Sequence, residues 1–175
     1  MYKILFVCSA NKSRSPSLEA YVKHLAKKNK IKNIKVNSAG TYEQLIRSFL
    51  KTGKTKANPI IRRMLSKEGI HEINRHRTKS ISRKLVEGSS LILTASQKNK
   101  DTVLENFPRV RGKVFTIKEY VGMKGDIVDA HYHPNGNIMY DKTTKKNTAE
   151  AYRKMLKEIR ILAEMTYEKL PTNMS

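Results

Sequence analysis

Apolar positions along this 175-residue chain follow two periods in turn. Lys3-Ile4-Leu5-Phe6-Val7-Cys8 is a short, nearly continuous apolar run, the pattern of a central parallel strand covered on both faces. From Pro16 onward Leu18, Tyr21, Val22, Leu25 and Ala26 recur at helical spacing, with Lys23, Lys27 and Lys28 on the other side. Strand, tight polar loop and helix are therefore expected in succession. Ser15 before Pro16 fits an N-cap with proline in the first helical position, where its missing N–H costs nothing.

Ile34 to Ser38 reads as a second strand, ended by Ala39-Gly40. Residues 41–56 form a basic stretch with a short helix around Gln44 to Leu50; it is longer than a typical connection and a candidate substrate-facing insertion. Pro59 to Gly69 is helical and stopped by its glycine. Leu91 to Thr94 and Lys113 to Ile117 are the third and fourth strands, separated by a helix from Gln97 to Asn106. The stretch 122–147 has no periodicity and reads as a long loop, with 130–147 a second insertion. Asn147 and Glu150 form a capping box that opens a last helix buried through Tyr152, Met155, Leu156, Ile159 and Leu162. The chain frays over 171–175. Alternating strands and helices argue for one α/β domain spanning 1–175, a parallel sheet with helices on both faces. Such sheets bind ligands at the carboxyl ends of their strands, which is where the loop after the first strand falls.

Composition narrows the picture. The hydrophobic fraction is 38%, enough for a core, and no apolar run reaches membrane-spanning or signal-peptide length, so a soluble, cytoplasmic protein is expected. A single cysteine excludes an internal disulfide and a cysteine-rich metal site. The formal charge of +21, from 36 Lys and Arg against 15 Asp and Glu, attracts some polyanion. Nucleic acid or acidic membrane would answer that charge, although no nucleic-acid-binding motif accompanies it.

The chemistry lies in Cys8-Ser9-Ala10-Asn11-Lys12-Ser13-Arg14-Ser15-Pro16: a cysteine, five residues, an arginine, then a helix start. Small residues at Ser9, Ala10 and Ser13 let the backbone curl so that several amides converge on one anion, a phosphate or sulfate. Asn11 tolerates the left-handed conformation such a curl needs. The helix points its positive end into the cradle, and Arg14 offers a bidentate fork. The same field favours the thiolate of Cys8 over its thiol, arming a nucleophile. A cysteine buried in the core is the competing reading, and it explains neither Arg14 nor the loop between.

The segment Val7 to Pro16 closely resembles the signature loop of the low-molecular-weight protein tyrosine phosphatases. Ser38-Ala39-Gly40-Thr41, His76-Arg77, Leu91 to Thr94 and Glu150-Ala151-Tyr152-Arg153 resemble further family segments, so most of the chain is covered. The resemblance implies a three-layer sandwich whose four-stranded parallel sheet has the order 2-1-3-4. It implies a phosphotyrosine phosphatase that works through a phosphocysteine, without metal or cofactor, on a phosphotyrosine protein or peptide that suits the charge best if acidic. Phosphate would be held by Ser9, Ala10, Asn11, Lys12, Ser13 and Arg14. Asn11 and Ser15 would support the loop, Ser15 by a hydrogen bond to the thiolate, and His76 would support it from behind. The family's acid matches Asp129 in Asp126-Ile127-Val128-Asp129-Ala130-His131, where Ala130 stands in place of the usual proline; Asp126 and then Asp141 are the other candidates. His131 and Tyr132 fall where the family walls its cleft with aromatic residues.

Two rivals remain on sequence grounds. Phosphoarginine phosphatases of the same family favour threonine where Lys12 stands, and a lysine there should repel a guanidinium substrate. A binding module that holds phosphate without turning it over is the non-enzymatic alternative. An arsenate reductase of this fold needs further cysteines, which the chain lacks.

Overall fold

The computed structural model describes residues 1–130 and 145–171, the side chains of 145–148 excepted. Four parallel strands, β1 (Tyr2–Cys8), β2 (Ile34–Gly40), β3 (Leu91–Thr94) and β4 (Val114–Thr116), form one sheet in the order β2-β1-β3-β4. The helices are α1 (Arg14–Lys28), α2 (Glu43–Lys51), α3 (Pro59–Lys67), α4 (Arg83–Glu87), α5 (Gln97–Asn106), α6 (Ile117–Tyr120) and α7 (Lys145–Glu168). Short 3-10 turns at His71–Arg75 and Pro108–Lys113 complete the described elements.

Strand alternation sorts the core into two layers. Ile4 and Phe6 join Leu18 and Val22 of α1, Ile61 and Leu65 of α3 and Tyr152, Ile159 and Leu162 of α7 on one face. Leu5 and Val7 join Ile92, Val86, Val103 and Val110 on the other. This is the expected three-layer α/β domain. Cys8 shares the Ile4/Phe6 parity, so at the carboxyl end of β1 its side chain turns toward the layer that contains α1.

Three expectations need correction. Ser15 is not the N-cap of the first helix: α1 begins at Arg14 with Ser13 in the cap position, because the loop winds straight into the helix. The carbonyl of Ser13 takes the first helical bond from Ser17 N at 3.1 Å. Pro16 then falls in the third position, still among the amides that have no helical partner to lose. Second, β4 stops at Thr116, whose side chain accepts from Glu119 N while Glu119 accepts from Thr116 N; this capping box starts α6 where the strand was expected to run on. Third, α7 starts at Lys145, two residues before the Asn147 cap that the sequence suggested.

Candidate active site

The loop between β1 and α1 closes on itself through Asn11, the residue whose φ of 52° provides the left-handed turn. Its side chain is fully buried and pins the curl in three directions. Asn11 Nδ2 donates to Ser15 Oγ at 3.0 Å and to Ser38 Oγ at 2.9 Å, while Oδ1 accepts from Lys79 N at 3.0 Å. Its carbonyl accepts from Thr78 Oγ1 at 3.2 Å and lies 2.9 Å from His76 Nε2. An acceptor-only carbonyl requires the proton on that nitrogen, so Nδ1 faces Glu19 at 3.8 Å, beyond hydrogen-bond distance. His76 thus contacts the loop backbone at Asn11.

Glu19, Ser38 and Asn99 escaped the sequence reading. Ser38 Oγ donates to Glu19 Oε2 at 2.6 Å, and Lys23 pairs with the same carboxylate. Burial raises the pKa of Glu19; the His76 imidazole, the Lys23 charge and the hydrogen bonds from Lys23 and Ser38 outweigh it and hold the carboxyl down to about 2. Asn99, buried in the first turn of α5, donates to Ser9 Oγ and to Thr41 Oγ1, both at 3.2 Å. The only sequence signal for these residues is polarity at positions that strand and helix periodicity mark as inward.

Cys8 ends β1 with its sulfur 3.0 Å from Ser15 Oγ. That hydroxyl is itself fixed by Asn11 and lies 3.4 Å from the Ala39 carbonyl. Gly40 passes so close that a Cβ there would stand 2.5 Å from Ser9 O, 2.6 Å from Ile46 Cδ1 and 3.1 Å from Asn11 N. The 41–56 stretch packs on the loop: Thr41 N and Tyr42 N donate to the carbonyls of Cys8 and Ser9, each at 2.9 Å.

Arg14 comes round to the same side. Its guanidinium pairs with Asp129 Oδ2 at 2.8 Å and donates to the Ile127 carbonyl at 3.2 Å, and its buried Nε has no partner among the described residues. The segment that carries Asp129 is anchored on both sides, since Ile127 and Ala130 are buried and Ile127 N donates to Ala95 O at 2.9 Å. Asp126 points elsewhere and accepts from Gln97 N at 2.8 Å at the start of α5. Asp141, His131 and Tyr132 lie outside the described residues.

Lys12 differs from its neighbours. Its carbonyl accepts from Asn58 N at 2.8 Å, while its ammonium donates to Lys54 O at 2.6 Å and to Lys56 O, and lies 4.8 Å from the centre of the Phe49 ring. Only the backbone of Lys12 is left to the curl; its charge sits at the edge, between loop and insertion. Asn58 Nδ2 also donates to the hydroxyl of the buried Tyr152 at 2.9 Å, linking α7 to the same edge. Among the described residues no group of three or more His, Cys, Asp and Glu side chains is placed to hold a metal ion.

A doubly wound sheet that ends in such a loop defines the class: an α/β phosphatase domain. Residues 3–166 match the family model for low molecular weight phosphotyrosine protein phosphatase, and the chain belongs to that family. A protein-arginine-phosphatase of Bacillus subtilis (strain 168) is 32% identical over 158 residues, 90% of this chain and 96% of that protein. A low molecular weight protein-tyrosine-phosphatase of Staphylococcus aureus (strain MRSA252) is 28% identical over 142 residues, 81% of this chain and 86% of that one. The solved structure of an arginine phosphatase variant with a phosphorylated active-site serine superimposes with a TM-score of 0.76 at 27% identity, covering 98% of this chain and 97% of the other.

Proposed function

We propose that this phosphatase removes phosphate from a protein side chain through a phosphocysteine on Cys8, with phosphotyrosine as the substrate. One observation carries the reading: the loop that ends β1 holds the Cys8 sulfur 3.0 Å from the Ser15 hydroxyl, and the residue beside that serine, Arg14, pairs with the Asp129 carboxylate at 2.8 Å. Phosphate would sit over the loop, held by its backbone amides and by Arg14, whose Nε is a buried donor in need of an acceptor. The Cys8 thiolate attacks phosphorus, the P–O bond to the leaving group breaks, and Asp129 gives its proton to the departing oxygen. Water then attacks the phosphocysteine as Asp129 takes one of its protons, which releases inorganic phosphate and restores the thiolate. A nucleophile that must stay reduced suits the cytoplasm, where thiols are kept so.

Lys12 supports phosphotyrosine. Its ammonium, fixed at the loop edge, repels a guanidinium brought in behind the phosphate and leaves a neutral phenyl ring unopposed. A second reading, phosphoarginine, is favoured by the relatives named as arginine phosphatases. The deciding measurement is kcat/KM on matched phosphotyrosine and phosphoarginine peptides, for wild type, Lys12→Thr and Cys8→Ser. Phosphotyrosine should be preferred by wild type, and the preference should shrink about fivefold in Lys12→Thr, the loss of roughly 1 kcal/mol of like-charge repulsion. A wild type faster on phosphoarginine overturns the substrate, while Cys8→Ser with undiminished turnover overturns the mechanism.

A further inference from the structure

A groove of about 440 Å³ lies between the end of α1 and the start of β2. Ile31 and Ile34 are half-buried in its wall, and Ala26 and Val36 are buried beneath them. Lys27 and Lys35, both exposed, stand at its rim with Lys23. It lies at the amino end of β2, whereas the candidate active site is at the carboxyl end, six residues or roughly 20 Å along the strand. An occupant would leave the cleft open.

Its electrostatics are one-sided. Residues 20–42 contain Lys23, Lys27, Lys28, Lys30, Lys32 and Lys35 and no Asp or Glu. Of these, Lys23 is paired with Glu19. The His24 ring, 3.6 Å from Glu72, is the other paired basic group on this part of α1. The described salt bridges include none from Lys27, Lys28, Lys30, Lys32 or Lys35. We propose that this groove is a docking site for an acidic protein segment that carries an aliphatic side chain: the aliphatic group enters between Ile31 and Ile34, and flanking carboxylates meet Lys27 and Lys35.

Charge complementarity selects the occupant. A second copy of a chain with charge +21 would bring like charge to a lysine rim. Single-stranded nucleic acid gains affinity by stacking bases on aromatic rings, and none lines the groove. A membrane surface is met by protruding apolar side chains, whereas Ile31 and Ile34 are half-buried and Ala26 and Val36 buried. An aliphatic residue flanked by glutamates satisfies both the floor and the rim.

The probes are a short glutamate-rich peptide with two leucines, the same peptide with serines in their place, oligouridylate, and phosphatidylserine vesicles. Backbone amide NMR shifts caused by the leucine peptide should concentrate at Ala26, Ile31, Ile34 and Val36. Replacing its leucines should weaken binding about tenfold, the worth of burying an aliphatic side chain. The double variant Lys27→Glu/Lys35→Glu should weaken binding by a similar factor. Unchanged hydrolysis of an aryl phosphate and an unchanged unfolding midpoint show that this variant is folded; the midpoint serves even where hydrolysis is absent, so failure of the catalytic reading stays distinguishable. Equal affinity for the serine peptide, shifts spread over the whole surface, or full affinity in the double variant overturns the proposal. Tighter binding of oligouridylate or vesicles at these lysines, or a dimer formed through this face, overturns it as well.

Discussion

The Arg14 guanidinium is tied directly to the Asp129 carboxylate, 2.8 Å away, so the proposed phosphate clamp and the proposed acid are positioned by one another. Asp126, three residues earlier, is committed to the amide of Gln97. The two aspartates therefore predict opposite phenotypes. Asp129→Ala should lower kcat on an aryl phosphate about 100-fold by removing the proton donor. Asp126→Ala should keep activity within about twofold and instead cost about 1 kcal/mol of stability through the lost hydrogen bond to the Gln97 amide at the start of α5. Steady-state kinetics with urea unfolding of both variants checks the assignment, and a fall in kcat confined to Asp126→Ala would reverse it.

Ser15 is the one hydrogen-bond partner of the Cys8 sulfur among the described contacts; its oxygen accepts from Asn11 Nδ2, and its single proton goes to a thiolate 3.0 Å away in preference to the Ala39 carbonyl at 3.4 Å. A hydrogen bond to a charged group contributes about 1.5–3 kcal/mol, and the attacking sulfur loses that stabilisation when the Ser15 hydroxyl is removed. Alkylation of Cys8 by iodoacetamide at pH 6 is expected to slow about tenfold in Ser15→Ala and to recover in Ser15→Thr. The same variant should keep its fold, since Ser13 and not Ser15 holds the cap position of α1. An unchanged alkylation rate would make the serine a packing residue only.

That exchange between Ser13 and Ser15 marks where sequence stops being readable. The periodic elements were plain from the chain: β3 and α5 occupy the residues that the apolar pattern marks out, and the loop with Cys8 and Arg14 falls at the end of β1. Hydrophobic burial is a local signal with a period. The polar support of the loop has none, because Ser38 and Asn99 meet it directly while Glu19 and Tyr152 act through Ser38 and Asn58, from four different elements. Such side chains meet only once the sheet has assembled. Helix starts are also ambiguous when serines occur at both 13 and 15, and the winning register is set by the curl of the loop. The short α6 was readable in principle: Thr116 and Glu119 have capping-box spacing, which a strand reading of Val114 to Ile117 passes over.

Gly40 carries a sharper structural demand than the resemblance alone conveys. Its neighbours leave no room for a Cβ, and two of the three nearest atoms, Ser9 O and Asn11 N, belong to the loop backbone, which cannot yield as a flexible side chain would. Gly40→Ala should therefore displace the curl, at a cost of about 1–3 kcal/mol in stability, and weaken binding of phosphate or vanadate more than tenfold. Denaturation and competitive inhibition measure the two effects separately. Tight oxyanion binding by a destabilised Gly40→Ala protein would show that the loop keeps its shape despite the contact.

Glu19 gives the support network a pH signature. Its carboxyl is held at about 2, below the ordinary 4.5, so the native state keeps it ionised over a range in which the unfolded chain takes up a proton. A lowered carboxyl pKa stabilises the fold above the unfolded value and stops doing so as pH falls through the folded one. The window is therefore pH 5 down to 2. The shift corresponds to stabilisation on the order of 3 kcal/mol at neutral pH, of which about 1 kcal/mol is left at pH 3. Glu19→Gln, which keeps the shape and removes the charge, should be less stable than wild type by the larger amount at pH 7 and by the smaller at pH 3. Urea unfolding of both proteins across that range tests it. A gap independent of pH would mean that Ser38 and His76 orient the loop by packing rather than through a buried anion. In that case the ionised carboxylate could not be what aligns Ser38 for Asn11.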